Sequence, residues 1–461
     1  MDGPLGLADY LTDPWLRYRT GQPSLGRDPA AERASAILYL TEQPAEWRAL
    51  VKEQAAVLPP LARGTRLVVF LPAENEAALI EPCLSAVARD LVSSGLHRAA
   101  EIVVVRQHRT GSDLDDTAER VSRWARLHRQ EVTVRLIEVE WPAGCRTFLA
   151  LSRKLAVDVS VERAIAAELR HPLYFLTEDA DVEWIESGRA RCAVAAFDAR
   201  PHLDALRGWH LRSLELLEYL PLFVERLTWR ACEYALSAPQ LRPERNPQYG
   251  FAWNRVVTAG WNVAFTLESY VLAGGYTPTV ELFEDMDLGQ RISVMRGTHT
   301  AAGFVPGTDT IHWMPLEACS DGRRSLAALA TGSDLYGPAP SLSGFVTVTA
   351  RARQWPMLAA VESARRAAPP QAVEEVLARR QAEVAAMVGD KDALDLVMRT
   401  AYDRLAIPDL HDLDGLRARQ RSFLAAARAV AAGQASSRYA AALGRRAGPG
   451  RRARQSADGK G

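Results

Sequence analysis

The chain has 461 residues, 48% of them hydrophobic and 24% charged, enough to bury a sizeable core and to divide into two or three units. Its 56 basic and 56 acidic residues cancel, which argues against a nucleic-acid binder that neutralises phosphates over its whole surface. No run reaches about 18 uninterrupted apolar residues, so no membrane span is expected.

Residues 1–62 show helical patterns broken by GQPSLGRDP and closed by LPPLARG, and read as a helical lead-in to a domain. MDGPLGLADYLTDPW has acids and prolines where a secretory signal needs a basic start and an apolar run. The five cysteines, Cys83, Cys145, Cys192, Cys232 and Cys319, form no CxxC pair, which fits free thiols in a reducing cytoplasm.

The domain opens at Arg66. RLVVFLP is a short β-rich run ending in Pro72, and ENEAALIEPCLSAVARDLVSSG continues with apolar residues at helical spacing and a glycine stop. EIVVV at 101–105 is a second strand, DDTAERVSRWARLHR a helix, and VTVRLIEVEW alternates as a half-buried strand should. RTFLALSRKLAVDVSVERAIAAELR then predicts a long helix before the strand PLYFLT. Strands alternating with helices of this length predict an α/β domain with a mostly parallel, Rossmann-like sheet flanked by helices. From Val194 to Ser237 the pattern reads as helical; beyond Met357 it is mainly alanine, arginine and leucine at helical spacing. The expected division is a domain over 63–320, with halves 63–190 and 191–320, a helical region over 321–443 and a basic tail over 444–461. That tail is read as solvated and disordered, with an anchor to anionic lipid or RNA as the alternative.

The last predicted strand runs into TEDADVEW, which sets Glu178, Asp179, Asp181 and Glu183 within six positions. Like charges this close stay protonated unless a cation compensates them, so the stretch asks for a metal. If the chain is extended there, Asp179 and Asp181 face one side and can share a hard cation, Mn2+, Mg2+ or Ca2+. A calcium EF-hand is excluded, because Trp184 and Ala190 stand where that loop needs glycine and glutamate. A second acidic cluster, Glu284, Asp285 and Asp287 in ELFEDMDLGQR, follows GWNVAFTLESYVLAGGY, in which Asn262 can bond backbone or ligand and Gly274-Gly275 make a tight turn. A metal that neutralises a diphosphate and a carboxylate that takes a proton from a hydroxyl are what transfer from an activated phosphate donor requires.

VVFLPAENEAALIEPCLSAV, TEDADV, GWNVAFTLESYVLAGGY and FEDMDLGQRI together resemble glycosyltransferase family 2, in that family's order and rough spacing, over about residues 66–316. The resemblance implies a GT-A fold, a nucleotide diphosphate sugar donor, and direct displacement at the anomeric carbon with inversion. On it, Pro72, Glu74 and Glu76 approach the nucleotide, while Asp179 and Asp181 hold Mn2+ or Mg2+ and the diphosphate. Asp285 is the base, with Glu284 and Asp287 orienting it or the acceptor. His312 stands where a third metal ligand is placed, and Arg153 and Lys154 are candidate cationic donor contacts. Trp261 and Trp313 are candidates for stacking on a sugar or for the core. The aspartate that follows the second strand in the family is replaced by Arg106 and Gln107, and Asp113, Asp115 or Asp116 can substitute only if the loop folds back. The Gln-x-x-Arg-Trp signature of processive synthases is absent, which favours a single-addition enzyme. Its acceptor is a glycan, a lipid-linked molecule or a small molecule, selected by residues 194–260 and the helical end. The alternatives are a retaining transferase, a sugar nucleotidyltransferase, and a scaffold protein on the same fold.

Overall fold

A computed structural model describes residues 28–212, 261–280, 284–300, 303–304, 310–320 and 409–431, with scattered positions between 220 and 231 and between 378 and 403. Four strands, β1 (Leu67–Ala73), β2 (Ala100–Arg109), β3 (Thr133–Trp141) and β4 (Tyr174–Thr177), lie parallel in the order β3-β2-β1-β4. The connecting helices are α3 (Ile80–Ser93), α4 (Thr117–Leu127) and α5 (Phe148–Ala167). They are preceded by α1 (Pro29–Glu42) and α2 (Ala45–Val57). β1 is buried along its whole length, as expected of a strand covered on both faces. β3 lies at the sheet's edge and alternates, with Glu138 and Glu140 turned outward.

The sheet continues with β7 (Val263–Thr266), β6 (Ala205–Arg212), β10 (Ile311–Ser320) and β5 (Val182–Ile185). β7 is antiparallel to both β4 and β6, and β5 is antiparallel to β10. A two-stranded ribbon, β8 (His299–Thr300) with β9 (Gly303–Phe304), stands apart. The expected α/β sheet is present, but its second half is mixed rather than parallel. The reading of 194–237 as helical is corrected over Ala205–Arg212, where α6 (Arg189–Ala199) gives way to β6, whereas the described positions between 220 and 231 are helical. β6 obtains its backbone partners from β7 and β10, both distant in sequence, so its strand state is set by tertiary pairing. Pro315 sits inside β10 where the register against β6 shifts between Trp313 and Glu317, a bulge that spares the missing N–H.

Successive strand residues feed opposite faces. Val68, Phe70, Val103, Val105, Phe175 and Phe265 pack with α1, α2, α5, α7 (Leu267–Leu272) and α8 (Glu284–Met295). Leu67, Val69, Leu71, Ile102, Val104, Tyr174 and Leu176 pack with α3, α4 and α6. The described part of the lead-in therefore shares the domain's main core. A satellite cluster joins Trp184 of β5 to Phe223, Val224 and Leu227 and to Leu416, Phe423 and Leu424 of α9 (Leu413–Ala431).

Candidate active site

The chain leaves β1 toward β2 on one side and returns from β3 to β4 on the other, so a topological switch point lies between β1 and β4. Open α/β sheets bind ligands at the carboxyl edge there. Phe70 is in register with Thr177, which brings the Pro72–Glu76 loop and the Glu178–Asp181 segment to that edge together. The amino end of antiparallel β7 delivers Asn262 to the same edge, where its N–H donates to the Thr177 carbonyl at 2.9 Å.

The first loop is tied to the loop after β2, which does fold back. Asn75 adopts φ 53°, a left-handed conformation that asparagine tolerates. Its amide donates to the Asp113 carbonyl at 3.0 Å and accepts from the Asp115 N–H at 3.2 Å. Asp115 in turn accepts from the Ala77 N–H and from the N–H and hydroxyl of Thr117. Its carboxylate is thus a clasp between loops. Pro72 is buried in register with Val105, and Glu74 lies 3.5 Å from Arg109, whose guanidinium covers the Phe148 ring. Burial pushes the Glu74 carboxyl up, opposed by Arg109. At the expected base-reading position, Arg106 lies 3.7 Å from Glu138 and Gln107 accepts from the Ser152 hydroxyl.

Asp179-Ala180-Asp181 forms a turn closed by the Val182 N–H on the Asp179 carbonyl, at 3.2 Å. This corrects the expectation of an extended pair, because the chain must leave β4 here to start β5. Glu178 is taken out of the cluster by Arg189, which also binds Asp90 at 3.3 Å and the Asn262 side-chain oxygen at 3.2 Å. Gly208 is needed beside it: a Cβ there would lie 2.1 Å from Asn262 Nδ2. Under the turn, the Cys83 thiol donates to the Asp179 carbonyl at 3.5 Å. Burial raises that thiol's pKa, and the nearby carboxylates of Asp181, Glu76 and Asp179 raise it further.

The two acidic clusters meet at Arg153, in the second turn of α5. Its Nη2 donates to Asp179 Oδ1 at 2.8 Å, its Nη1 to Glu284 Oε1 at 2.5 Å, and Asp285 Oδ2 lies 3.8 Å from Nη1. All four residues are buried. Burial disfavours the guanidinium charge, but Glu284, Asp179 and Asp285 outweigh it and raise its pKa. Glu284 is raised to about 7, first by burial and then by Asp285, with Arg153 opposing. The ring of Tyr276 lies against Phe70 and Phe265, and burial pushes its hydroxyl pKa up beside Arg153. Tyr276 escaped the sequence reading, although it directly follows Gly274-Gly275.

Two expected site residues point elsewhere. Lys154, one residue past Arg153 and about 100° round the helix, faces α1 and α2. There it pairs with Asp158 at 2.9 Å and sits over the Tyr39 and Trp47 rings. Its expected donor contact is corrected, since its charge is consumed in the core. Asp287 accepts from the Thr277 hydroxyl at 2.6 Å and from Arg291 Nε at 3.0 Å, and Arg291 caps the carbonyls of Ala273 and Gly275. It braces the glycine turn instead of orienting the base directly. Trp261 is buried in the core. His312 lies on β10 in register with Leu206, and its side chain, like that of Trp313, is outside the described residues. Residues 1–27, most of 321–408 and the tail beyond 431 are also outside them. Among the described residues no three His, Cys, Asp or Glu side chains gather as metal ligands. No described helix is long and apolar enough to cross a membrane.

No family model matches the chain, and no curated protein matches it. Among solved structures it is similar to a mannosyltransferase from Pyrobaculum calidifontis in complex with GDP-Man and Mn2+. The identity is 19% over 85% of this chain and 94% of that one, with TM-score 0.35. It is also similar to glucosyl-3-phosphoglycerate synthase from Mycobacterium tuberculosis in complex with Mn2+, UDP and phosphoglyceric acid, at 16% identity over 61% and 86%, TM-score 0.28. The same enzyme with Mg2+ and UDP matches at 16% over 60% and 86%, TM-score 0.29.

Proposed function

We propose that the protein is a metal-dependent glycosyltransferase of GT-A type and family 2 character. It moves a sugar from a nucleotide diphosphate donor to an acceptor hydroxyl with inversion, one addition at a time. The observation that carries this reading is the convergence of Asp179 with Glu284 and Asp285 on one buried guanidinium at the carboxyl edge of the switch point. A donor-side cluster and a base-side cluster are thereby held a few ångströms apart, as a single displacement requires.

The donor set fits a hard divalent cation: Asp179 and Asp181 offer carboxylate oxygens, and burial keeps the nearby Cys83 thiol protonated. Asp179 and Asp181, with His312 as the proposed third protein ligand, would hold Mn2+ or Mg2+, which offsets the negative charge of the diphosphate. The Pro72–Glu76 loop, clasped by Asp115, lies along the nucleotide. Asp285 accepts the acceptor's proton as the new C–O bond forms at the anomeric carbon and the old one breaks, its electron pair leaving on the diphosphate. Arg153 lies 3.8 Å from Asp285 and holds Glu284 beside it. Acceptor choice is assigned to the satellite cluster of Trp184, Phe223, Val224, Leu227 and α9, which packs beside β5 just beyond Asp181. A cytoplasmic site of action and peripheral lipid contact by the basic tail belong to the same proposal.

Proton NMR of Mn2+-dependent donor breakdown tests it. An α-linked UDP- or GDP-sugar should first yield the β-configured sugar, and Asp285→Asn should abolish the reaction. First appearance of the α-configured sugar would support the retaining route instead.

A further inference from the structure

The Tyr39 hydroxyl links the first lead-in helix both to α5 and to the glycine turn beside the site. Tyr39 of α1 is fully buried; its hydroxyl donates to Asp158 Oδ1 at 2.8 Å and accepts from Lys154 Nζ, both on α5. Trp47 Nε1 donates to the other Asp158 oxygen at 2.7 Å, and the Tyr270 hydroxyl adds a bond at 2.9 Å. The same Tyr39 oxygen sits directly against the glycine turn, since a Cβ on Gly275 would lie 2.1 Å from it. Gly275 is at φ 72°, its carbonyl is held by Arg291 of α8, and Arg291 is held by Asp287. One oxygen therefore bears on α5 one residue from Arg153 and on the turn to which α8 is anchored.

We propose that Tyr39 is a positioning residue for the transfer reaction: its hydroxyl spaces α5 from the Gly274–Gly275 turn, and so spaces Arg153 and the donor side from Glu284 and Asp285. This rests on reading the site as one of glycosyl transfer. Trp47, Tyr270 and Lys154 already satisfy the Asp158 carboxylate without Tyr39, and of the two hydroxyls beside Gly275 that of Tyr39 lies nearer, 2.1 Å from a Cβ there against 2.9 Å for Tyr270. Loss of the Tyr39 hydroxyl lets α8 drift relative to α5, and sub-ångström misplacement of a base is costly to rate without being costly to donor affinity.

The test compares Tyr39→Phe with Trp47→Phe, which removes an Asp158 donor from the same network without touching the turn. Nucleotide release from UDP-glucose and GDP-mannose with Mn2+ gives kcat, and calorimetry with UDP and GDP gives Kd. Tyr39→Phe should lower kcat about tenfold with Kd within about twofold, whereas Trp47→Phe should keep kcat within about twofold. An unchanged kcat in Tyr39→Phe, an equal loss in Trp47→Phe, or affinity falling in step with rate would overturn the proposal. If the wild-type chain releases nucleotide from neither donor, Mn2+-dependent binding of UDP, GDP or TDP decides the functional reading separately. The spacing is then read in urea denaturation, where Tyr39→Phe and Thr277→Val should combine non-additively; additive midpoint shifts would overturn it.

Discussion

Replacing Arg153 by methionine leaves a chain of similar volume with no charge between Asp179, Glu284 and Asp285. Two of those carboxylates are bonded to the guanidinium at 2.8 and 2.5 Å and the third lies at 3.8 Å, all buried. Removing one partner of a buried pair costs about 3–5 kcal/mol, because the partner left behind keeps its desolvation penalty. Against a total of about 5–15 kcal/mol for a domain, Arg153→Met should be folded but close to its limit. Lysine should recover only part of the loss, since one ammonium cannot replace two nitrogens aimed at two carboxylates. The assay is urea denaturation followed by tryptophan fluorescence at several pH values. Glu284 binds its proton more tightly folded, at about 7, than unfolded, at 4.5. The folded state therefore holds more protons across that interval, so this group's contribution to stability falls as pH rises from 4.5 to about 7 and then levels off. In Arg153→Met the opposing influence of the guanidinium is gone, and the decline should continue above pH 7. A loss under about 1 kcal/mol, with the same pH profile in both proteins, would refute the shared-cation account.

Gly208→Ala drives a methyl into the Asn262 amide and should destabilise by about 1–3 kcal/mol in the same denaturation assay. Asp115→Ala cuts the clasp on the first loop and should weaken nucleotide affinity several-fold in calorimetry while leaving the melting temperature nearly unchanged. Lys154→Met should leave nucleotide affinity unchanged, because its charge faces Asp158 and not the donor. Burial lowers the Lys154 pKa, although Asp158 opposes the shift. A folded pKa below the unfolded value means that this lysine's contribution to stability rises with pH, and Lys154→Met should remove that rise at alkaline pH.

The βα half was legible because β1, β2 and β4 are covered on both faces, and such strands read as continuous apolar runs: LVVFLP and YFL emerge within a residue or two of their observed ends, while IVVV marks the start of β2 but stops four residues short of Arg109. The acidic clusters were legible as charge following those runs. The second half was not, because β6 and β10 are stabilised by partners far away in sequence and carry arginine, histidine and proline that local propensity counts against a strand. Sequence order also cannot choose between Arg153 and Lys154. Adjacent helix positions differ by about 100°, and only the placement of α1 and α2 decides which of them faces the acids. Glu178 looked like part of a metal cluster until Arg189, eleven residues on and on another element, was seen to neutralise it. The role of Asp115 depended on a loop path that no periodicity encodes.

We propose a metal-dependent nucleotide diphosphate site at the carboxyl edge of β1 and β4. Calorimetric titration of the purified chain with UDP, GDP and TDP, each with and without Mn2+, tests it most directly when repeated on Asp181→Ala. Mn2+-dependent binding of one nucleotide, lost in the variant, is the predicted result and identifies the donor's base. A folded protein that binds none of the three, or binds one equally well without the metal and without Asp181, would contradict the account and favour a scaffold built on this fold.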